Sequence, residues 1–246
     1  MTKQRADISL VACGLAESRA KAQALIKAGL VRAGTATVQK PGETWPEDTL
    51  FTLTGLEHPW VSRGGMKLAH GLDHFGFDPV GRTALDIGAS TGGFSDVLLS
   101  HNAAKIYAVD VGHDQLAAKL RNDPRVIVLE KTNARSLTTT QIPEPITALV
   151  CDASFIGLQT VLPAGLALCA PGAFAVALIK PQFEAGPEHV GKSGVVRDSA
   201  LHARICARLT NWLAGQSGWR VLGITPSPIQ GPEGNVEFLI GAVKIS

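Results

Sequence analysis

The chain has 246 residues, 45% of them hydrophobic, so it can bury one large core and a second smaller one. Its 23 basic and 21 acidic side chains nearly cancel, and this balance alone favours no polyanionic partner. The four cysteines form no C-x-x-C pair, so we expect no metal site and no disulfide framework. With a polar start and no apolar run of about 18 residues, we expect no signal peptide, no membrane span and a cytoplasmic protein.

Basic residues are concentrated at the start of the chain. Residues 1–40 contain seven basic and two acidic residues, a net charge of +5, whereas residues 41–60 contain four acidic residues and no basic one. A basic face on a small unit suits a polyanion, and a plain solvated helix face would give the same count.

The first unit, residues 1–58, is predicted to contain two short helices followed by short strands. One helix lies around Asp7–Cys13, and a second is capped by Ser18 and ends at Gly29. The predicted strands are Leu30–Arg32, Thr37–Val38 and Leu50–Thr54. Residues 59–63 then indicate a linker to residues 64–246.

The longer second unit alternates between helical and apolar segments. A helix around Gly65–Phe75 precedes the predicted strands Thr83–Ile87, Lys105–Val111, Val126–Glu130, Ile146–Cys151, Phe174–Ile179, Arg220–Ile224 and Val236–Val243. Short, almost fully apolar strands are typical of a parallel sheet buried on both faces. The last two strands have no helix between them, which predicts an antiparallel pair. The pattern indicates an α/β fold. A small α+β unit comes first in the sequence, and a Rossmann-like, mostly parallel sheet follows it.

A glycine-rich segment follows the first of these strands. Asp86–Phe94 opens a helix and has the spacing G-x-x-x-G-G. Glycines let a ligand approach the backbone, and a helix N-terminus offers unpaired N–H groups. Asp110 ends the next strand, where an acid can accept hydrogen bonds from ribose hydroxyls. An ordinary tight turn and an NAD site are the alternatives, and the missing third glycine argues against NAD.

A second segment, Gly186–Ser193, matches the letters of a phosphate-binding loop. A working loop needs a strand directly before it and a helix starting at its lysine. Here Pro181–Ala185 separates it from the strand, and Gly194–Val196 follows in place of a helix former. We therefore expect a surface loop and no nucleoside triphosphate.

Three charged residues interrupt apolar segments. Asp152 and Lys180 end two predicted strands, and Glu237 lies inside the last one. Reactive groups collect at the carboxyl edge of an open α/β sheet. The three residues therefore predict either a reactive site or a structural ion pair.

Taken together, these motifs resemble the TlyA family, ribosomal RNA 2′-O-methyltransferases in which an S4-type RNA-binding domain precedes an FtsJ-like (RrmJ-like) domain. The resemblance covers nearly the whole chain. S4-like features are Arg5, Asp7, Leu10, Gly14, Ser18–Arg19, Ala22, Ile26, Gly29 and Val38–Gly42. Those of the catalytic part are Val61–Leu68, Gly88–Phe94, Thr132–Arg135, Lys180–Glu184, Gly191–Asp198 and Gly231–Glu237.

The resemblance implies a class I methyltransferase that depends on S-adenosylmethionine (SAM) and has a seven-stranded sheet. The catalytic set that it implies, called the tetrad below, is Lys67, Asp152, Lys180 and Glu237. Lys180 would orient and deprotonate the hydroxyl, held by Asp152, while Glu237 would balance Lys67. The cofactor-binding residues would be Gly88, Ala89, Ser90, Thr91, Gly92, Gly93, Phe94, Asp110, Val111, Asn133, Ala134 and Asp152. The RNA-binding residues would be Arg5, Arg19, Lys40, Arg63 and Arg135.

The chain departs from the family pattern at two places. Arg32–Ala36 replaces the family's Asn-Gly turn, which alters a hairpin tip, and Ala153 replaces a valine beside Asp152. The second change leaves the predicted catalytic acid in place, whereas the first can change RNA contacts.

The implied substrate is cytidine in 16S rRNA, 23S rRNA or both, presented as free RNA or in ribosomal subunits. Members of the family are often labelled haemolysins, so a membrane-active protein is the rival from another class. The second rival is a non-catalytic RNA-binding protein with a vestigial methyltransferase fold. We expect no membrane partner. The oligomeric state is open, with a monomer favoured.

Overall fold

The computed structural model of the chain describes residues 3–16, 18–54, 58–186, 189–191, 194–231 and 234–246. The chain divides into two compact units, Met1–Pro59 and Trp60–Ser246. Lys192 and Ser193 of the phosphate-loop match lie outside the described residues, as do Pro187, Glu188, Pro232 and Glu233. Within the described ranges, no helix combines the length and apolar character that crossing a membrane requires.

The first unit packs two helices against small antiparallel sheets. Its elements are β1 (Lys3–Arg5), α1 (Ala6–Ala12), α2 (Arg19–Lys27), β2 (Val31–Ala33), β3 (Ala36–Thr37), β4 (Thr44–Pro46) and β5 (Phe51–Leu53). The side chain of Ser18 caps α2 by accepting a hydrogen bond from the Lys21 N–H at 3.2 Å, as expected. The buried face of α2, Ala22, Leu25 and Ile26, joins a core with Leu10 and Val31.

The pair β1–β4 was not predicted. Lys3–Arg5 and Thr44–Pro46 pair antiparallel over three positions, and only one residue of β1 is even half-buried. A three-residue polar segment has no apolar alternation from which a strand can be inferred.

The unusual hairpin tip is a two-residue turn. Arg32 pairs with Thr37 and Ala33 with Ala36, so Gly34 and Thr35 form the loop. Gly34 has φ +60°, a backbone conformation that glycine adopts at the first position of tight hairpins. The Arg32 guanidinium donates to the Thr35 carbonyl at 3.1 Å. Glycine therefore supports the turn although the Asn-Gly pair is absent.

The second unit is a sheet with helices on both faces. Its elements are α3 (Gly64–Phe75), β6 (Thr83–Ile87), α4 (Gly93–Ser100), β7 (Lys105–Val109), α5 (Ala118–Arg121), β8 (Val126–Leu129), β9 (Ile146–Cys151), α6 (Leu158–Val161), α7 (Pro163–Ala167), β10 (Cys169–Ile179), α8 (Pro181–Glu184), α9 (Ser199–Ala214), β11 (Trp219–Pro226) and β12 (Phe238–Lys244).

The sheet has seven strands in the order β11-β12-β10-β9-β6-β7-β8. The strands from β10 to β8 run parallel, whereas β12 is antiparallel to both of its neighbours. This confirms the predicted α/β class, the seven-stranded sheet and the antiparallel last pair. Several bounds differ from the prediction. β7 and β8 end earlier than expected, and β11 is longer at both ends. β10 begins at Cys169 through an irregular register, and Glu237 lies just before β12 rather than inside it.

Two apolar clusters cover the two faces of the sheet. One packs Leu158, Leu166 and Leu209 of α6, α7 and α9 against the strands. The other contains Leu68 of α3 and Val97 of α4, and side chains from the segment assigned to the linker, Trp60 and Val61, pack against it. A Cβ on Gly65 would lie only 2.7 Å from the Trp60 ring, so a side chain at that position would displace the ring.

Candidate active site

The register of the sheet brings three charged residues to one edge. In the parallel pair β9–β10, Cys151 lies opposite Ala177, and in the antiparallel pair β10–β12, Ile179 lies opposite Phe238. Asp152 and Lys180 therefore leave the carboxyl ends of two parallel strands where Glu237 enters β12. The antiparallel direction of β12 places the beginning of this strand at the reactive edge.

Two ion pairs form there. Lys180 Nζ lies 2.6 Å from Asp152 Oδ1, and Lys67 Nζ on α3 lies 2.6 Å from Glu237 Oε2. The side chains of both lysines are 8% exposed, and that of Glu237 is fully buried. Buried charges of this kind require partners, because an uncompensated charge is strongly unfavourable away from water.

The Lys180 amine has two further contacts. It donates to the Asp152 carbonyl at 3.2 Å and to Ser154 Oγ at 2.8 Å. The 2.6 Å contact with Asp152 Oδ1 is a charge contact whose angle falls outside that of a directed hydrogen bond. Ser154 was not among the predicted site residues.

The glycine-rich loop lies against the Asp152 segment. Gly88 has φ +80°, and a Cβ at this position would lie 2.8 Å from the Cα of Ala153. Gly92 has φ +96°, and a Cβ there would meet the side chains of Leu116 and Leu120. A residue with a side chain would be strained at both positions and would push these neighbours away.

Asp86, at the head of this motif, is fully buried below the loop. Its Oδ2 accepts a hydrogen bond from Ser95 Oγ at 2.7 Å. Burial raises the pKa of the Asp86 carboxyl to about 7, and the nearby carboxylate of Asp152 raises it further, while the Ser95 hydroxyl opposes the shift. Burial therefore favours the uncharged form of Asp86.

One cavity of about 720 Å³ joins the tetrad to the glycine-rich loop. All four tetrad residues line it, together with residues 88–94 apart from Gly92. Two buried acceptors in its wall, Glu237 Oε1 and Gln182 Oε1, have no hydrogen-bond partner among the described residues. Such oxygens are costly to leave unpaired, so they favour a ligand with donor groups.

Other predicted cofactor residues lie beside the cavity lining. Those outside it in the described part of the chain are Gly92, Asp110, Val111, Asn133 and Ala134. Asp110 Oδ2 is joined to the loop by accepting from the Ser90 N–H at 2.9 Å, and its backbone carbonyl accepts from the Thr132 N–H at 2.9 Å. Val111 is 72% exposed. These residues extend from the glycine-rich loop along the same sheet edge.

The cavity also has walls that the sequence analysis missed. Phe155 is 89% exposed with φ +63°, and its ring centroid is 4.9 Å from that of Phe183. Exposed rings beside a cavity offer an apolar face to a planar group. Asn235 joins two loops by donating to the Gly194 carbonyl at 3.1 Å and accepting from the Val196 N–H at 3.2 Å. Phe183 lies within the motif Lys180–Glu184, but nothing in those letters indicates a ring beside a cavity.

The basic residues predicted in the second unit lie in different surroundings. Arg63 lines the cavity and donates to the Gln230 carbonyl at 2.8 Å. Arg135 is exposed, lies outside the described cavity lining and donates to Asn133 Oδ1 at 3.2 Å.

In the first unit, Arg5 and Arg19 converge on one buried carboxylate. Asp7 accepts two hydrogen bonds from Arg5 at 3.0 Å, one from Arg19 at 3.2 Å and one from Gln23 at 2.9 Å. The hydrogen bonds from Arg5, followed by those from Gln23 and Arg19, hold the pKa of Asp7 well below its usual range against the effect of burial. The arginine side chains remain 45% and 57% exposed. Lys40 is exposed.

Comparison with known proteins gives the family. The FtsJ-like methyltransferase family matches residues 60–244. The 16S/23S rRNA (cytidine-2′-O)-methyltransferase TlyA of Mycobacterium tuberculosis is 47% identical over 97% of this chain and 89% of its own length. The chain belongs to the TlyA family of FtsJ-like methyltransferases.

Further relatives are named either as methyltransferases or as hemolysins. The 23S rRNA (cytidine-2′-O)-methyltransferase TlyA of Campylobacter jejuni is 37% identical over 84% of this chain and 81% of its own length. A solved structure from Streptococcus thermophilus, provisionally called a hemolysin, is 40% identical, with a TM-score of 0.76 over 100% of this chain and 90% of that one. The methyltransferase family match covers the unit that contains the tetrad and the cavity.

Proposed function

We propose that this protein transfers a methyl group from SAM to the ribose 2′-hydroxyl of cytidine in ribosomal RNA, in the cytoplasm. The observation that carries the proposal is the buried Lys180 amine, 2.6 Å from Asp152 Oδ1, in the wall of the cavity that also contains the glycine-rich loop. Family membership and the names of the two TlyA relatives support the same reaction. The target is 16S rRNA, 23S rRNA or both.

The residues of the cavity fit the cofactor. Most of the glycine-rich loop lines the cavity, and about 720 Å³ lies within the size range of pockets for ligands of this kind. SAM supplies a methyl group that is already activated on a sulfonium. We assign its binding to Gly88–Phe94, Asp110, Val111, Asn133, Ala134 and Asp152.

The protein's own contribution is alignment and the removal of one proton. A ribose hydroxyl is a poor nucleophile while it keeps its proton, so a base beside it lowers the barrier. Lys180, as the neutral amine, orients the hydroxyl and receives this proton to become an ammonium group, and Asp152 holds it in place. The Lys67–Glu237 pair holds a neighbouring part of the wall without leaving a buried charge uncompensated.

For RNA binding we assign the first unit, residues 1–58, as an S4-type domain joined through residues 59–63 to the catalytic domain, residues 64–246. Phosphate contacts are assigned to Arg5, Arg19, Lys40, Arg63 and Arg135. The exposed guanidinium groups of Arg5 and Arg19, both oriented by Asp7, support this assignment in the first unit.

The test is methylation of ribosomal RNA from cells that lack the gene, with isotope-labelled SAM and purified protein. We expect label at cytidine 2′-oxygens, located by mapping 2′-O-methyl sites in 16S and 23S rRNA. Binding of SAM and RNA without transfer would indicate the non-catalytic alternative. Leakage from liposomes without transfer would indicate the membrane-active one, and either result would overturn the proposal.

A further inference from the structure

We infer that Ser154 is a positioning residue for Lys180, whose amine it orients so that the nitrogen lone pair is directed to the ribose hydroxyl. The inference rests on the proposed function and adds a residue outside the tetrad. It starts from the hydrogen bond between Lys180 Nζ and Ser154 Oγ at 2.8 Å.

The directed hydrogen bonds of the amine use two N–H donors. An ammonium group has no acceptor, so the form that receives a proton is the neutral amine, with two N–H donors and one lone pair. Lys180 donates to the Asp152 carbonyl at 3.2 Å and to Ser154 Oγ at 2.8 Å, whereas its 2.6 Å contact with Asp152 Oδ1 is not a directed hydrogen bond. With both N–H groups engaged in this way, the lone pair is left for the hydroxyl proton.

Ser154 is the side-chain partner of the amine, since the other directed acceptor is the Asp152 carbonyl. Without the Ser154 hydroxyl, one N–H of a buried amine would lack its partner, and the amine could turn its lone pair away from the substrate.

The backbone around Ser154 is held in an unusual conformation. On one side Ala153 occupies the space that Gly88 leaves free, and on the other Phe155 has φ +63°. A positive φ is unfavourable for a bulky residue and persists only where surrounding contacts impose it. The same short segment that turns Phe155 outward therefore presents the Ser154 hydroxyl to the amine.

The test compares Ser154→Ala with Ser154→Thr, which keeps a hydroxyl. Loss of this hydrogen bond should lower kcat about tenfold in Ser154→Ala, with KM for RNA and the Kd for SAM within about twofold. Ser154→Thr should recover most of kcat. Ser100→Ala, a serine on α4 whose hydroxyl donates to the Val97 carbonyl, is the matched control and should behave as the wild type.

Each contrary result has a distinct meaning. An unchanged kcat in Ser154→Ala would show that the amine needs no such partner and would overturn the inference. An equal loss in the Ala and Thr variants, together with a lower Tm, would indicate a structural role and would overturn it as well. A wild type that binds SAM and RNA but transfers no methyl would refute the proposed function instead, and the inference with it.

Discussion

Each of the two units contains a cluster of cations around carboxylates, and the clusters differ in what is buried. At the cavity both members of the Lys67–Glu237 pair are buried, and the Lys180 amine is enclosed by protein acceptors. In the first unit only Asp7 is buried, and the side chains of Arg5 and Arg19 are about half exposed.

This difference in burial indicates what each cluster can do. A buried lysine beside a carboxylate is fixed in position and shielded from water, which suits the handling of one proton. Exposed guanidinium groups with a buried anchor keep donors free on their outer side, which suits a phosphate. We therefore propose that the same pairing chemistry serves a reaction in one unit and contact with a polyanion in the other.

The largest effect is expected from Lys180→Ala. Without the amine, transfer should fall by about 10²–10⁴, because general-base assistance is lost, while the Kd for SAM stays within a few-fold. Single-turnover methylation and calorimetric SAM binding measure the two quantities. Lys105→Ala is the control, since Lys105 is also ion-paired but begins β7 at the other edge of the sheet. Substantial transfer by Lys180→Ala would remove Lys180 from the mechanism.

Replacing Glu237 by Gln should lower the free energy of unfolding by about 3–5 kcal/mol, since the charge of Lys67 is then buried without compensation. Urea denaturation measures the change. In the double variant Lys67→Met/Glu237→Leu both charges are gone, so stability should largely return although transfer does not. An unfolding midpoint of Glu237→Gln equal to that of the wild type would contradict the assigned burial of the pair.

Asp7→Asn tests the anchor of the exposed cluster. Since the pKa of Asp7 is lowered on folding, its ionised form stabilises the fold at neutral pH, and this contribution is lost as pH falls below about 4. At pH 7 we expect a loss of about 2 kcal/mol, from hydrogen bonds to a charged group, and a smaller difference from the wild type in acid. Hydrogen exchange in α1 and α2 of the full chain measures it, with the exposed Asp48→Asn as control. A difference that does not shrink in acid would contradict the role of the ionised carboxylate.

The smallest effect is expected from Arg19→Ala. Removal of one phosphate contact should weaken RNA binding and lower the slope of log affinity against log salt by about one unit. Titrations of RNA at several salt concentrations measure this slope, and Lys105→Ala again serves as the control. An unchanged slope would indicate that Arg19 pairs with Asp7 and makes no phosphate contact.

Much of the fold could be predicted because its strands are apolar and bounded by turns. The predicted and observed bounds agree for Thr83–Ile87 and Ile146–Cys151, both of which lie in the middle of the sheet. Strands β1 and β4 were not predicted because each has three residues, too few to show an apolar alternation. The early start of β10 depends on pairing with Ile146, which only the assembled sheet provides.

The candidate site was also predictable only in part. Asp152, Lys180 and Glu237 stand out because charges rarely interrupt buried strands. Which lysine pairs with which carboxylate depends on register, and the contact of Ser154 with Lys180 depends on a loop shaped by Gly88. The left-handed backbone of Phe155 has no signature in a single sequence, because a phenylalanine does not adopt it by preference.

The Lys67–Glu237 contact also has a consequence for folding cooperativity. Its partners are 170 residues apart in sequence, one on α3 and the other at the start of β12. Neither element can be buried alone without leaving a charge in an apolar setting, so docking of α3 and pairing of β12 are coupled. Contacts between residues so distant in sequence form late because closing the chain between them costs entropy. Methyl transfer would then require the completely formed sheet, and partly folded chains would have no activity.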